Sequence, residues 1–354
     1  DLLRDPLRVL PESRETARLL LSARGPGAIV QELAGRLELG LDPPEVPAGI
    51  PVEARLPKEL LEALSVWLPV LRESGAAVRA AVAAVPEPTR RELVEHFRAE
   101  LTNSLPDPGR LRRGETWTER DLRVLALAQG VGLRDILQAA LLPLHLASVQ
   151  TSLAPPAEPV EPLRLELDGV SIVIGSTGDD EFSEAADLIL DPGGDDVYRG
   201  EALRARPGSV QAIVDLAGDD RYLSKGFGSA GAGIFGVSLL FDAAGNDAYL
   251  AEDGALGVGL FGCGVLYDRS GDDVYRARAF SQGAASFGVG LLIDDAGADL
   301  YRASYLSQAM GYVGGAGVLR DASGNDIYSS GYSEPDPRGY IENYGSFSQG
   351  EVFQ

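Results

Sequence analysis

Six times in the second half of the chain an aspartate is followed three residues later by glycine, then at the sixth position by a second aspartate, and at the eighth by tyrosine. The first aspartates are Asp191, Asp215, Asp242, Asp268, Asp294 and Asp321. The second aspartates, at the sixth position of each turn, are Asp196, Asp220, Asp247, Asp273, Asp299 and Asp326. Between them the fifth position is Asp195, Asp219, Asn246, Asp272 or Asn325, with Ala298 in the remaining copy. Carboxylate and amide oxygens are hard ligands, and clusters of them suit a hard divalent cation, Ca²⁺ best of all. All seventeen oxygen-bearing residues are therefore candidate metal ligands.

Successive copies start 24, 27, 26, 26 and 27 residues apart, and a degenerate copy, Gly175 to Phe182, precedes them. Each turn follows a short β-favouring run such as Leu188 to Leu190, Ala212 to Val214 or Leu239 to Phe241. Strand, acidic turn, aromatic and glycine-rich strand make one rung of a β-solenoid, whose neighbours bury its core. About seven rungs of either hand are expected, stacked about 4.8 Å apart. Phe182, Tyr198, Tyr222, Tyr249, Tyr275, Tyr301 and Tyr328 then form an aromatic ladder with offset ring contacts. Ser281-Gln282, Ser307-Gln308 and Ser348-Gln349 add a partial Ser-Gln column, read as an amide ladder.

Stacking also lines up the aspartates. Unit charges about 5 Å apart repel by roughly 3 kcal/mol per pair at an effective dielectric constant of about 20. Three arrangements relieve this: the carboxylates accept N–H bonds within their own turns, they are protonated or point apart, or cations lie between the turns.

The segments Ala244 to Tyr249 and Ser323 to Tyr328 resemble the turn of the repeats-in-toxin (RTX) calcium-binding nonapeptide, Gly-Gly-x-Gly-(Asn/Asp)-Asp-x-apolar-x. The resemblance implies a row of Ca²⁺ ions held by carboxylates and turn carbonyls of successive coils. It places the family's aspartate ligand on Asp196, Asp220, Asp247, Asp273, Asp299 and Asp326. Two differences stand out. Aspartate replaces the family's first glycine, and the turn recurs once per ~26 residues, so the coil must have an additional side.

The elements around the array are of two kinds. Residues 1–153 read as an all-α helical bundle. Helices are expected over Pro11 to Arg24, Ala28 to Leu39 and from Pro57 onward, the last kinked at Pro69. Another follows a capping box at Thr89 and Glu92, and a further one runs from Thr118 towards Ala147. Residues 154–162, with prolines at 155, 156, 159 and 162, form an extended linker, and residues 163–354 carry the solenoid.

Composition narrows the functions. The net charge is −22, with 22 acidic and 19 basic residues up to position 160 and 31 and 12 beyond it. Nucleic acid and anionic membrane surfaces would be repelled. No apolar run reaches the ~20 residues of a membrane-spanning helix. Cys263 is a lone cysteine, and His96 and His145 are too few for a histidine-based zinc site. No Gly-x-Ser-x-Gly elbow is present. With no initiator methionine at Asp1, a processed, secreted or cell-surface form is expected. The reading that follows is a structural, self-assembling repeat protein, partnered by its own copies or by another surface protein or glycan. An unfinished final rung near Gln354 would present an open strand edge for filament growth. The competing reading is a polysaccharide-active enzyme, with Arg276, Arg278 and Arg302 on one solenoid face, or a glycan-binding module on a parallel β-helix.

Overall fold

A computed structural model describes residues 15–103 (except 17, 21 and 24), 123, 126–149, 155–331 and 352–353. The C-terminal part is a parallel β-solenoid of about six turns. A few helices occupy the N-terminal region.

A complete coil has four short strands, as between residues 237 and 260. Val237–Asp242 is long, Ala248–Leu250 carries the tyrosine, and Asp253–Ala255 and Gly259–Leu260 close the circuit. The long strands pair in parallel and in register, so Asp242 lies between Asp215 and Asp268. The tyrosine strands do the same, placing Tyr249 between Tyr222 and Tyr275. The two glycine-rich strands are the additional side that the long period requires.

The degenerate first copy belongs to a shortened coil. Asp180 and Asp196 are 16 residues apart, whereas later sixth-position aspartates are separated by 24 to 27. A Cβ on Gly175 would come within 2.6 Å of Asp191 Oδ1, so the neighbouring carboxylate fills the space of a first-position aspartate there.

All six residues of Val237–Asp242, Cys263–Asp268 and Val289–Asp294 are buried. A strand covered on both faces loses the alternation of a half-exposed one and reads as a continuous apolar run. Leu240, Leu266 and Leu292 face inward with the tyrosines, while Leu239, Val265 and Leu291 belong to the same apolar cluster as the helices. By parity, an aspartate two residues after Leu240 also faces inward. Burial of this side chain therefore follows from its place on the strand.

Among the described residues the outer cover includes four helices: α1 (Pro26–Arg36), α2 (Lys58–Val82), α3 (Glu87–Asn103) and α4 (Leu133–Val149). Their buried residues, including Ile29, Leu64, Trp67, Leu93, Ile136 and Leu144, are continuous with the outward residues of the long sheet. Thus the helices form a layer on the sheet as well as packing on one another. Helix α2 continues through the buried Pro69. Helix α3 starts at Glu87, two residues before the expected Thr89 cap, and the N–H of Arg90 donates to the Pro86 carbonyl. The expected Thr118 start and half of Pro11 to Arg24 lie outside the described residues; within the other half, residues 15, 16, 18–20 and 22 are helical. No described helix is long and apolar enough to cross a membrane.

Both ends of the long sheet carry other strands of the chain. Leu163–Leu167 pairs antiparallel with Val170–Ile174, ending the parallel stack at one side. At the other, Val352–Phe353 pairs with the last long strand, Ala316–Asp321, and is itself the terminal strand of the sheet.

The tyrosine ladder is present, with ring centroids 4.6 to 4.8 Å apart from Tyr198 to Tyr328. A second ladder, Phe235, Phe261 and Phe287, stacks at 4.7 and 5.0 Å. The buried glutamines bind main chain across coils: Gln282 Nε2 donates to the carbonyls of Tyr275 and Arg302. Ser348 and Gln349 lie outside the described residues.

Candidate metal centre

Three columns run along the acidic turns, and each solves its hydrogen bonding differently. First-position aspartates cap their own turns. Oδ1 of Asp242 accepts the N–H of Ala244 at 3.2 Å, and Asp268 accepts that of Ser270 at 3.0 Å. Asp191, Asp215 and Asp294 accept the N–H two residues on in the same way. The expected Asx-turn therefore accounts for one oxygen of each.

The second oxygen meets the aromatic ladder. Tyr222 Oη donates to Asp242 Oδ2 at 2.6 Å, and Tyr275 Oη to Asp294 Oδ2 at 2.7 Å. Tyr198 and Tyr249 donate likewise to Asp215 and Asp268. Each tyrosine thus binds the first aspartate of the following coil. Tyr328 instead donates to Asp321 of its own coil at 2.6 Å, and Tyr301 Oη has no hydrogen-bond partner.

Sixth-position aspartates bind backward along the stack. Oδ1 of Asp220, Asp247 and Asp273 accepts the N–H of the sixth residue one coil earlier, each at 2.6 Å. Asp299 and Asp326 continue the column at 2.8 and 3.1 Å. The other oxygen is left over: Oδ2 of Asp196, Asp220, Asp247 and Asp299 is buried without a hydrogen-bond partner.

These leftover oxygens lie beside the first-position carboxylates. Asp180, Asp191 and Asp196 bring ligand atoms within 4.8 Å of one another, and Asp196, Asp215 and Asp220 repeat the arrangement. So do Asp220, Asp242 and Asp247; Asp247, Asp268 and Asp273; and Asp273, Asp294 and Asp299. Each sixth-position aspartate between these triads belongs to two of them. Asp180 was not among the sequence candidates, because its turn lacks the first aspartate; the surviving Gly178-Asp179-Asp180 was the available signal.

The fifth position stays outside the triads. Asp195, Asp219, Asn246 and Asp272 are exposed, and Oδ1 of each accepts the fifth-position N–H of the next coil, at 2.8 to 3.0 Å. Asn325 is exposed as well. Adjacent fifth and sixth residues point to opposite sides, so only one can reach the interior. The glycine before them is fixed by contact: a Cβ on Gly245 would lie 1.6 Å from the Gly218 carbonyl oxygen.

Burial raises the enclosed aspartates of the first and sixth positions from Asp191 to Asp321. Loss of hydration, then the neighbouring Asp196, pushes Asp191 up to about 9. Burial and Asp242 push Asp247 up to about 10, and the same two causes raise Asp220 to about 8. Asp215 and Asp268 are also displaced well upward by burial. Asp242 rises only to about 6, because Tyr222 and the Ala244 N–H stabilise its anion. Such a row must hold protons or face cations, since buried carboxylates without compensation are costly.

The donor set fits a hard divalent ion. All ligand atoms are carboxylate oxygens, and a span of 4.8 Å is about twice a Ca²⁺–oxygen distance of ~2.4 Å. Each coil contributes two buried carboxylates, the charge that one divalent cation neutralises. Three carboxylates supply fewer than the 6–8 oxygens Ca²⁺ takes. Bidentate contacts, turn carbonyls or water would complete the shell.

The other candidate groups remain apart. Arg276 and Arg302 are exposed register neighbours, while Arg278 pairs with Asp253. His96 is buried on α3, His145 is half-buried on α4, and burial pushes the Cys263 thiol up to about 12. The chain matches no protein family, no curated protein and no solved structure.

Proposed function

We propose that the chain is a structural scaffold, secreted or displayed at a cell surface, whose interior aspartate column binds Ca²⁺ between coils. The observation that carries this reading is the set of buried Oδ2 atoms of Asp196, Asp220, Asp247 and Asp299, each left without a donor inside an all-carboxylate triad. Neighbouring coils share these carboxylates, so an ion in one triad joins two rungs. Millimolar calcium, as found outside cells, would keep the row loaded. The resemblance of the turns to the RTX nonapeptide supports the same choice of ion, with the ligands redistributed over a longer coil.

Metal analysis and calorimetry on dialysed protein test the reading. Several equivalents of Ca²⁺ should bind per chain, and near-UV circular dichroism should change as the adjacent tyrosine ladder tightens. No heat and no spectral change at millimolar Ca²⁺ would exclude it. Filament formation is the further part of the proposal. It predicts sedimentation that depends on protein concentration, and monomers at every concentration with and without calcium would remove that part alone.

A further inference from the structure

Where α3 meets the solenoid, five arginines line two adjoining clefts of about 460 and 240 Å³. Arg79 lines the larger, Arg91, Arg98 and Arg204 the smaller, and Arg90 lines both. Among the described lining residues the only carboxylate is Glu87, which is engaged by Arg91, and Glu201, just outside the lining, pairs with Arg204 at 2.9 Å. In a chain of net charge −22, a groove of the opposite sign is a local exception. The clefts share Glu87, Arg90 and Pro207, so a single ligand can occupy both.

Three features shape what would fit. Arg90 Nη1 donates to the Val82 carbonyl at 3.4 Å, while its Nε is buried without an acceptor. The first turn of α3, at Glu87 to Arg90, adds the positive end of a 17-residue helix. Between the guanidinium groups, Val94, Ala205, Pro207, Phe227 and Ile234 form an apolar wall, with the Arg98 guanidinium 5.5 Å from the Phe227 ring centre.

We infer that this groove binds a short carboxylated oligosaccharide of the uronic-acid class. Planar guanidinium forks match carboxylates in pairs. The alternation of charged and apolar lining suits a ligand whose acid groups are separated by C–H faces, which an inorganic polyphosphate lacks. Length is limited by the rest of the molecule, because a long polyanion leaving the groove meets an acidic surface. The combined space lies within the range of small-molecule sites, about 300–1,000 Å³.

The test is calorimetric titration of the full chain in EDTA at low salt with tri-galacturonate, alongside maltotriose and inorganic pyrophosphate. EDTA separates this groove from calcium held in the aspartate column, so the two proposals fail independently. Tri-galacturonate should bind and weaken as salt is added, while maltotriose should not bind. R91Q/R204Q, at two exposed positions, should weaken binding about tenfold or more. R90Q should weaken it further, with circular dichroism checking that the variant is folded. Arg36→Gln, at an exposed arginine that lines neither cleft, should leave binding unchanged. No binding of tri-galacturonate, equal binding of maltotriose, pyrophosphate binding without tri-galacturonate binding, or an undiminished R91Q/R204Q variant would each overturn the assignment.

Discussion

Tyr222 donates its phenolic hydrogen bond across a coil boundary to Oδ2 of Asp242, at 2.6 Å, with Tyr222 and Asp242 both fully buried. The bond makes the aromatic ladder and the acidic column one structure. Tyr249 repeats it with Asp268.

Removing one such hydroxyl tests the coupling. Tyr249→Phe keeps the ring between Tyr222 and Tyr275 but strips a donor from a buried carboxylate. Leaving a buried polar group without its partner costs about 1–3 kcal/mol, so a loss in that range is expected by equilibrium denaturation at neutral pH. A variant as stable as the parent would show that the ring contacts alone carry the ladder.

Asp247→Asn should change sign with calcium. Without metal at pH 8, Asp247 must take up a proton to be buried in its two triads, a cost the neutral amide avoids, so the substitution should raise the melting temperature. With millimolar Ca²⁺ it removes a ligand from both and should lower the melting temperature, along with the number of ions bound. Paired thermal scans check this, and the same direction of change in both buffers would contradict it.

Metal-free protein should lose stability as pH rises. The buried aspartates have folded-state values above the 3.8 of an exposed side chain, so the folded form holds protons more tightly than the unfolded one. Their contribution is fully present below about 4 and declines as pH passes the folded values, from about 6 at Asp242 to about 10 at Asp247. Melting temperatures in EDTA should therefore fall between pH 6 and pH 10, and saturating Ca²⁺ should flatten the decline.

Glycine positions differ sharply in what they tolerate. Gly245→Ala would place a methyl group 1.6 Å from the Gly218 carbonyl oxygen, a collision between two backbones. A loss of about 3 kcal/mol or more is expected. At Gly178 the nearest atom to an added Cβ is Ser176 Oγ, 3.8 Å away, and Gly178→Ala should fall within about 0.5 kcal/mol of the parent. Chemical denaturation of the two variants makes the comparison.

Much of this was legible in the residues. The period of the Asp-Gly-Asp turn specifies a coil, and the parity of Leu240 and Asp242 sends that carboxylate inward. The tyrosine bond was hidden because Tyr222 reaches the aspartate 20 residues later in sequence, outside its own motif. Asp180 was obscured by Gly175, whose missing side chain reflects the Asp191 carboxylate packed against it. The helical layer was equally hard to anticipate: an apolar run such as Leu239 to Phe241 states that both faces are covered without naming the cover. Thr89 has the right neighbours for a cap, yet α3 already starts at Glu87.

Ala298 has a mechanical consequence. Its N–H donates the fifth-position bond to Asp272, but it has no side-chain oxygen to accept from Asn325, so that column stops there. At the same boundary Tyr301 Oη is unpartnered and the sixth-position bond from Asp299 to Asp326 is the longest of its column, 3.1 Å. A stack loaded along its axis parts at its poorest joint. Here that joint lies between the last two turns, so the final coil would peel away first while the coils before it hold together as a single spring.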